Sequence, residues 1–545
     1  MTTLWSLAKT LAGIALLAQS SLADSVRRNP VRYITLVQDA VIQSPSHRVH
    51  AFSSFDLVFS LHDGAQRVRL ALEPNHDLLH QDFAITHLDE DGSVREVISV
   101  PRSEDRVYRG SAFIERDGVQ GWSKAGWARV SVHQDGQRPL FDGAFRIDGD
   151  NHHILSRADY RALKDERDPD VDAAAAEDVM VVWRDSDVTD DEVGTELKRG
   201  VGMASTCDAD SLAFNSRLLA PEDDGGGGPS FRRSLRSTSF GSLFARQIDD
   251  GGSGGTGLDL MSSIGSTAGC PTTKKVALVG IATDCNYFSA FNNTNAVKRQ
   301  ILSIVNKASE IYESTFKISL AIKNLTMIDR GCGGSGPGGS TPWNVGCRDD
   351  VTISDRLNTF SQWRGEAKDD NAYWTLFTTC ATQTAVGLAW RGMACRTGAG
   401  SSQDASGRNE TVAATNVVVR ADTEWQIFAH ESGHTFGAVH DCVAQTCPVS
   451  SGSAQACCPL SRDRCDAGGR YIMNPSTVQG VTSFSPCSIG NICSGFRSNM
   501  IKSNCLQDNR NVQTDADIGS VCGNGIVEAG EECDCGGEAG CGANP

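Results

Sequence analysis

Lys275-Val-Ala-Leu-Val-Gly-Ile-Ala282 is an almost unbroken apolar run, short enough for a strand buried on both faces. Beyond it, Val297, Ile301, Ile304, Val305, Ala308 and Ile311 recur at helical spacing, which predicts a helix over 295–316. Residues 317–322 read as strand again, 351–363 as helix, and 373–377 and 416–420 as strands. Upstream the period changes. Short stretches of alternating residues over 32–37, 56–61 and 68–73, separated by Gly and Asp-Gly breaks, predict a strand-rich unit between about 30 and 150. The pattern therefore divides the chain into an all-β N-terminal unit and a later α/β unit.

Composition adds compartment and exclusions. The chain has 545 residues, 39% of them hydrophobic, which suits several globular domains. Lys9, the apolar run over 11–18 and the small residues Ser21 and Ala23 form an export signal, with the mature chain starting near Asp24. That run is too short for a membrane span of about 30 Å. The formal net charge is −17, and the segment 165–192 holds twelve acidic residues against two arginines, read as a solvated, flexible face. Nothing supports nucleic-acid binding, since the chain is acidic and its basic residues form no aromatic-interleaved patch. Glycine-rich segments flank Arg232-Arg-Ser-Leu-Arg236, an exposed linker in which Arg232, Arg233 and Arg236 match a processing protease's R-x-x-R and dibasic sites. A linker that stays intact is the alternative.

The candidate chemistry lies in His430-Glu-Ser-Gly-His434-Thr-Phe-Gly437-Ala-Val-His440-Asp441. On a helix predicted over 423–436, opened by a capping box at Thr423 and Gln426, His430 and His434 stand one turn apart on one face. Gly437 supplies the left-handed turn that ends the helix and delivers His440. Three imidazoles leave the fourth position of a tetrahedral zinc open, as in catalytic sites, and Glu431 stands beside them as a general base.

This string resembles the metzincin signature, and Asp441 after the third histidine resembles the adamalysin/ADAM branch of that clan. The resemblance implies a zinc endopeptidase acting on proteins or peptides, with a mixed twisted sheet and helices above the cleft. It makes Met473, in Tyr471-Ile-Met-Asn-Pro475, a floor beneath the histidines, and 385–390 an edge strand that pairs with extended substrate. It also makes Cys207 a cysteine switch, although Asp208 stands where the family has glycine; a free thiol is the alternative.

Of 19 cysteines, 14 lie between Cys270 and Cys505, enough for seven bridges in an oxidising secretory route, with connectivity unreadable. No repeated CxxC frame supports zinc fingers. Sequons stand at Asn292, Asn324 and Asn409. Cys522 onward resembles the opening of an ADAM disintegrin module, implying calcium with Asn524, Glu528 and Glu531 as oxygen donors and a cell-surface receptor as partner.

The expected organisation is a signal peptide (1–23), a β-rich pro-domain (24–236), a Gly-rich linker (237–269), an α/β metzincin catalytic domain (270–510) and an incomplete disulfide-rich disintegrin module (519–545). It describes a zymogen that is extracellular or at the cell surface, any membrane anchor lying beyond Pro545. The rival class is a catalytically silent adhesion or scaffold protein.

Overall fold

The computed structural model describes residues 30–189 except 45, 117 and 173–177, residues 206–217 except 208, and residues 260–508 except 333–339, 381–384, 404–406, 422–423, 448–456 and 477–480. The expected export signal, Arg232, Arg233, Arg236 and the cysteine-rich tail with Asn524, Glu528 and Glu531 lie outside these residues.

The N-terminal body comprises β1 (Thr35–Val37), β2 (Val41–Gln43), β3 (Phe55–Leu61), β4 (Gln66–Pro74), β5 (Leu79–Leu88), β6 (Val94–Ser99), β7 (Val107–Glu115), β8 (Trp122–Gln134), β9 (Leu140–Ile147), β10 (Asp150–Ser156), α1 (Arg157–Leu163) and β11 (Met180–Arg184). Nine of these strands form one antiparallel sheet in the order β1-β11-β10-β9-β8-β7-β4-β3-β2. Alternation makes one face apolar: Val68, Leu70 and Leu72 of β4 turn inward to meet Leu57, Phe59, Val130 and Phe145.

The second body contains β12 (Thr206–Cys207), α2 (Ala213–Arg217), α3 (Leu260–Ser263), β13 (Lys275–Thr283), α4 (Cys285–Ser289), α5 (Thr294–Phe316), β14 (Ile318–Ile328), α6 (Ile353–Glu366), β15 (Tyr373–Thr378), β16 (Ala385–Ala389), β17 (Ala399–Gln403), β18 (Asn409–Ala413), β19 (Thr415–Val419), α7 (Glu424–Thr435), α8 (Pro486–Arg497) and β20 (Gln507–Asp508). Its sheet runs β12-β16-β19-β15-β13-β14-β5-β6, with β20 beside β13. Strands β19, β15, β13, β14 and β5 are parallel and β16 is antiparallel to β19, the mixed sheet expected. All six apolar positions that predicted α5 are buried. Asn293 Oδ1 accepts from Ala296 N at 3.0 Å to start that helix, and Lys317 at φ +58° ends it.

Four expectations change. The strand expected over 317–322 runs on to Ile328, because β5 of the N-terminal body pairs with it from Asn324↔Ala84 to Ile328↔Leu88. Strand β16 is not an edge here, since Thr206 and Cys207 pair alongside it in parallel. The acidic stretch is not wholly solvated. Asp168 is buried, its two carboxylate oxygens accepting from Val31 N at 2.7 Å and Asp165 N at 2.8 Å, and buried Asp187 accepts from Arg184 N at 3.0 Å. These carboxylates replace absent backbone partners. Finally, Leu260 packs with Val439, Cys458 and Cys487, so the compact body begins within the span that composition gave to the linker.

The two bodies meet along α5. Lys298 pairs with Asp105 at 2.9 Å, Asn306 Oδ1 accepts from Asn75 at 2.8 Å, and Glu310 pairs with buried Arg129 at 2.5 Å. Among the described residues, seven disulfides join Cys270–Cys493, Cys285–Cys332, Cys347–Cys380, Cys395–Cys505, Cys442–Cys457, Cys447–Cys465 and Cys458–Cys487.

Candidate active site

Helix α7 is buried along its whole length, between α5, β16 and β19. Thr423 lies outside the described residues, and the Gln426 amide nitrogen reaches Val481 O at 3.2 Å instead of turning back to the helix start. The helix stops where Gly437 takes φ +96°. That glycine has a second reason: a Cβ there would lie 2.6 Å from Ile501 Cδ1.

The turn brings His440 to the two helical histidines. His430 Nε2 and His434 Nε2 are 3.1 Å apart, and His440 Nε2 lies 3.1 Å from His434 Nε2 and 3.3 Å from His430 Nε2. Each ring is aimed from behind. His430 Nδ1 donates to Ile472 O at 2.6 Å, His434 Nδ1 to Ala438 O at 2.8 Å, and His440 Nδ1 to Asp210 Oδ2 at 2.5 Å. With the protons on Nδ1, three Nε2 lone pairs face one point. Burial lowers the pKa of His430 to about 3 and that of His434 well below the usual value, which favours neutral rings able to ligate. Imidazole nitrogens at about 2.0–2.1 Å from a tetrahedral zinc would be spaced by roughly 3.3–3.4 Å, so the donor set fits that ion.

Cys207 Sγ lies 3.5 Å from His434 Nε2 and joins the three histidines in one group of four converging donors. Its backbone N–H bonds Pro475 O at 3.0 Å, so the segment lies between β16 and the wall carrying Pro475. Burial, and then the Glu431 carboxylate, raise the Cys207 thiol well above its usual range; a divalent cation at the histidines would reverse that preference.

Glu431 is buried beside β16. A Cβ on Gly387 would stand 2.1 Å from its Oε1, so only glycine at that strand position leaves the carboxylate its place. Met473 is fully buried beneath α7, and its sulfur would lie 2.5 Å from a Cβ on Gly433. Asp441 sits behind the site, accepting from Ser485 Oγ at 2.5 Å and Ser488 Oγ at 3.1 Å; burial nevertheless raises its pKa to about 6.

Residues 272–485 match the family model of metallo-peptidase family M12, reprolysin type. The disintegrin and metalloproteinase domain-containing protein B of Aspergillus fumigatus is 47% identical over 543 residues, covering 98% of this chain and 68% of the relative. The chain belongs to the ADAM family. A protein of the same name from Trichophyton verrucosum is 40% identical over 532 residues, covering 95% of this chain and 65% of the relative. The zinc metalloprotease mde10 of Schizosaccharomyces pombe is 29% identical over 287 residues, covering 47% of this chain and 52% of the relative. This ADAM chain thus spans about two thirds of the two longest-matching relatives named here. It is a zinc metalloprotease whose substrates are proteins. Its many disulfides and its ADAM relatives fit an extracellular setting, and no helix among the described residues is long and apolar enough to cross a membrane.

Sequence reading missed Asp210, Arg391, Gly387 and Gly433 in this ADAM site. The two glycines could have been suspected from their places beside the expected floor and edge strand. Asp210 carried no such mark. Of the sequons, Asn292 and Asn409 are exposed, whereas Asn324 is half-buried in β14 with its Oδ1 accepting from Asn371 at 2.8 Å.

Proposed function

We propose that the chain is a secreted zymogen of a zinc endopeptidase. In this reading His430, His434 and His440 hold the catalytic zinc, Glu431 is the general base, and residues 206–217 keep the site latent. The observation that carries it is the convergence of three Nε2 atoms within 3.3 Å of one another, with Cys207 Sγ at the fourth position and Glu431 alongside.

Zinc, when bound, supplies the Lewis acidity that lets water ionise near neutral pH and polarises a carbonyl. The remaining work falls to the chain. Glu431 accepts the water proton on its carboxylate and passes it to the leaving amine, and its burial against Gly387 keeps it aimed there. Strand β16 offers backbone groups to an extended peptide, as it now does to residues 206–207. Next to Glu431, Val386, Ile427, Ile472, Pro475 and Val481 line an apolar pocket partly closed by Cys207, which suits an apolar substrate side chain. Met473 supports the histidine floor.

Residues 24–236 form the pro-domain in this reading, and a processing protease releases it by cutting at Arg232, Arg233 or Arg236. The tail from Cys522 acts as a disintegrin-like region that binds calcium and a surface receptor. The test is cleavage of a mixed peptide library by zinc-loaded protein cut in the linker, run beside Glu431→Ala and with a chelator. Activity lost in both controls is expected. One equivalent of bound zinc with no cleavage would overturn the reading.

A further inference from the structure

We propose that Arg391 forms, beside the zinc site, a subsite for a carboxylate of the substrate, which Asp210 fills in the intact chain. The proposal rests on reading residues 206–217 as a segment that occupies the substrate cleft.

Arg391 follows β16 and is 1% exposed at its side chain. Its Nη2 donates to Asp210 Oδ1 at 2.6 Å and its Nη1 to Asn215 O at 3.0 Å. Its backbone N–H bonds Asn215 Oδ1 at 2.8 Å. All of these partners belong to the 206–217 segment. Asn215 also donates to Ala389 O at 2.9 Å, so the segment wraps the end of β16. Among the described residues the guanidinium has no carboxylate of the metalloprotease body as a salt-bridge partner.

Asp210 spans two donors. One oxygen meets Arg391 and the other meets His440 Nδ1 at 2.5 Å, so a single carboxylate joins the arginine to a histidine of the metal cluster. At 45% exposure the Asp210 side chain reaches this position from the solvent side of the cleft.

Removing the segment leaves a guanidinium facing the cleft next to a site built for a dication. A planar fork with charge unmatched is complementary to a carboxylate and repels ammonium or guanidinium groups. Two sources carry that chemistry: an Asp or Glu side chain of an extended protein substrate, and the C-terminal carboxylate of a peptide. Asp210 lies three residues beyond Cys207, whose sulfur faces the metal position, so the recognised group lies within about three residues of the cleaved bond.

The experiment uses the full chain, loaded with zinc and cut in the linker, with matched peptides that carry Asp or Glu against Asn or Gln near the cleaved bond, and free against amidated C-termini. Hydrolysis is measured for wild type, Arg391→Ala, Arg391→Lys and Arg391→Glu. Binding of the same peptides is read by fluorescence anisotropy on the Glu431→Ala protein with and without each Arg391 change. Wild type is expected to prefer the carboxylate peptide by about tenfold or more, mainly through KM, with the preference lost in Arg391→Ala, partly kept in Arg391→Lys and reversed toward Lys-containing peptides in Arg391→Glu. Preference for the side-chain acid or for the free C-terminus assigns the source. Arg391-dependent discrimination in binding without hydrolysis would sink the protease reading and leave the subsite standing. Equal binding of acid and amide peptides by wild type, or a preference that survives in a folded Arg391→Ala protein, would overturn the subsite.

Discussion

Gly433 and Met473 are packed so that a Cβ on the glycine would come within 2.5 Å of the methionine sulfur. Helix α7 can therefore pack against Met473 only without a side chain at this position. Gly433→Ala is expected to destabilise the fold by roughly 1–3 kcal/mol and to weaken zinc binding, because the new methyl pushes His430 and His434 away from His440. Thermal unfolding and zinc titration check this. A smaller residue at 473 in the Gly433→Ala background should restore part of both, and no recovery would show that the clash lies elsewhere.

Gly387 tests the same packing from the strand side. Gly387→Ala is expected to fold and to bind zinc at full stoichiometry while losing about ten- to a hundredfold in kcat, since its Cβ takes the space of Glu431 Oε1. Metal analysis beside peptide kinetics separates the two effects. Normal turnover would show that Glu431 does not act from the position it has here.

Latency in the uncut chain should depend on Asp210 as well as on Cys207. Asp210→Asn removes the charge shared by His440 and Arg391, and, because the aspartate is half exposed, a modest gain in basal peptide cleavage of about three- to tenfold is expected. Basal hydrolysis by the uncut variant measures it. An unchanged rate would show that Asp210 does not contribute to latency.

Glu424, buried in the first turn of α7, has its pKa raised to about 7 by burial, against the opposing effects of Arg420 and Gln300. A raised folded-state pKa means that its contribution is fully present below about pH 4.5 and is lost as pH rises through about 7, up to about 3 kcal/mol in all. Urea unfolding at pH 5 and pH 8 should show Glu424→Gln relatively more stable than wild type at the higher pH. Parallel pH profiles would remove Glu424 as the cause.

Glycan mapping by mass spectrometry of protein made in a secretory host should find Asn292 and Asn409 occupied and Asn324 bare. The first two side chains are exposed, and the third lies in a strand with a paired neighbour on each side.

The histidine triad, Glu431 and the turn at Gly437 were legible because they sit within twelve residues, where helix periodicity and the glycine turn act locally. The main helices and strands were legible for the same reason. Asp210 was not, since its partners Arg391 and His440 lie 181 and 230 residues away and only the assembled sheet brings them together. Strand β5 was hidden differently: its alternating apolar pattern marks a strand but not which sheet receives it, and its partner β14 comes more than two hundred residues later. The buried Asp168 and Asp187 show the limit of composition, because charge density says nothing of the backbone donors that a carboxylate meets.

Because β5 is stitched into the same sheet that supports the histidines, cutting the linker does not by itself separate the pieces. If the chain is the zymogen proposed above, the two parts of a cut protein would still be held by this pairing until they separate, and separation of a noncovalent complex follows mass action, so the clipped protein would show its peptide cleavage on dilution. In the proposed zymogen, latency would then depend on local concentration as well as on the cut.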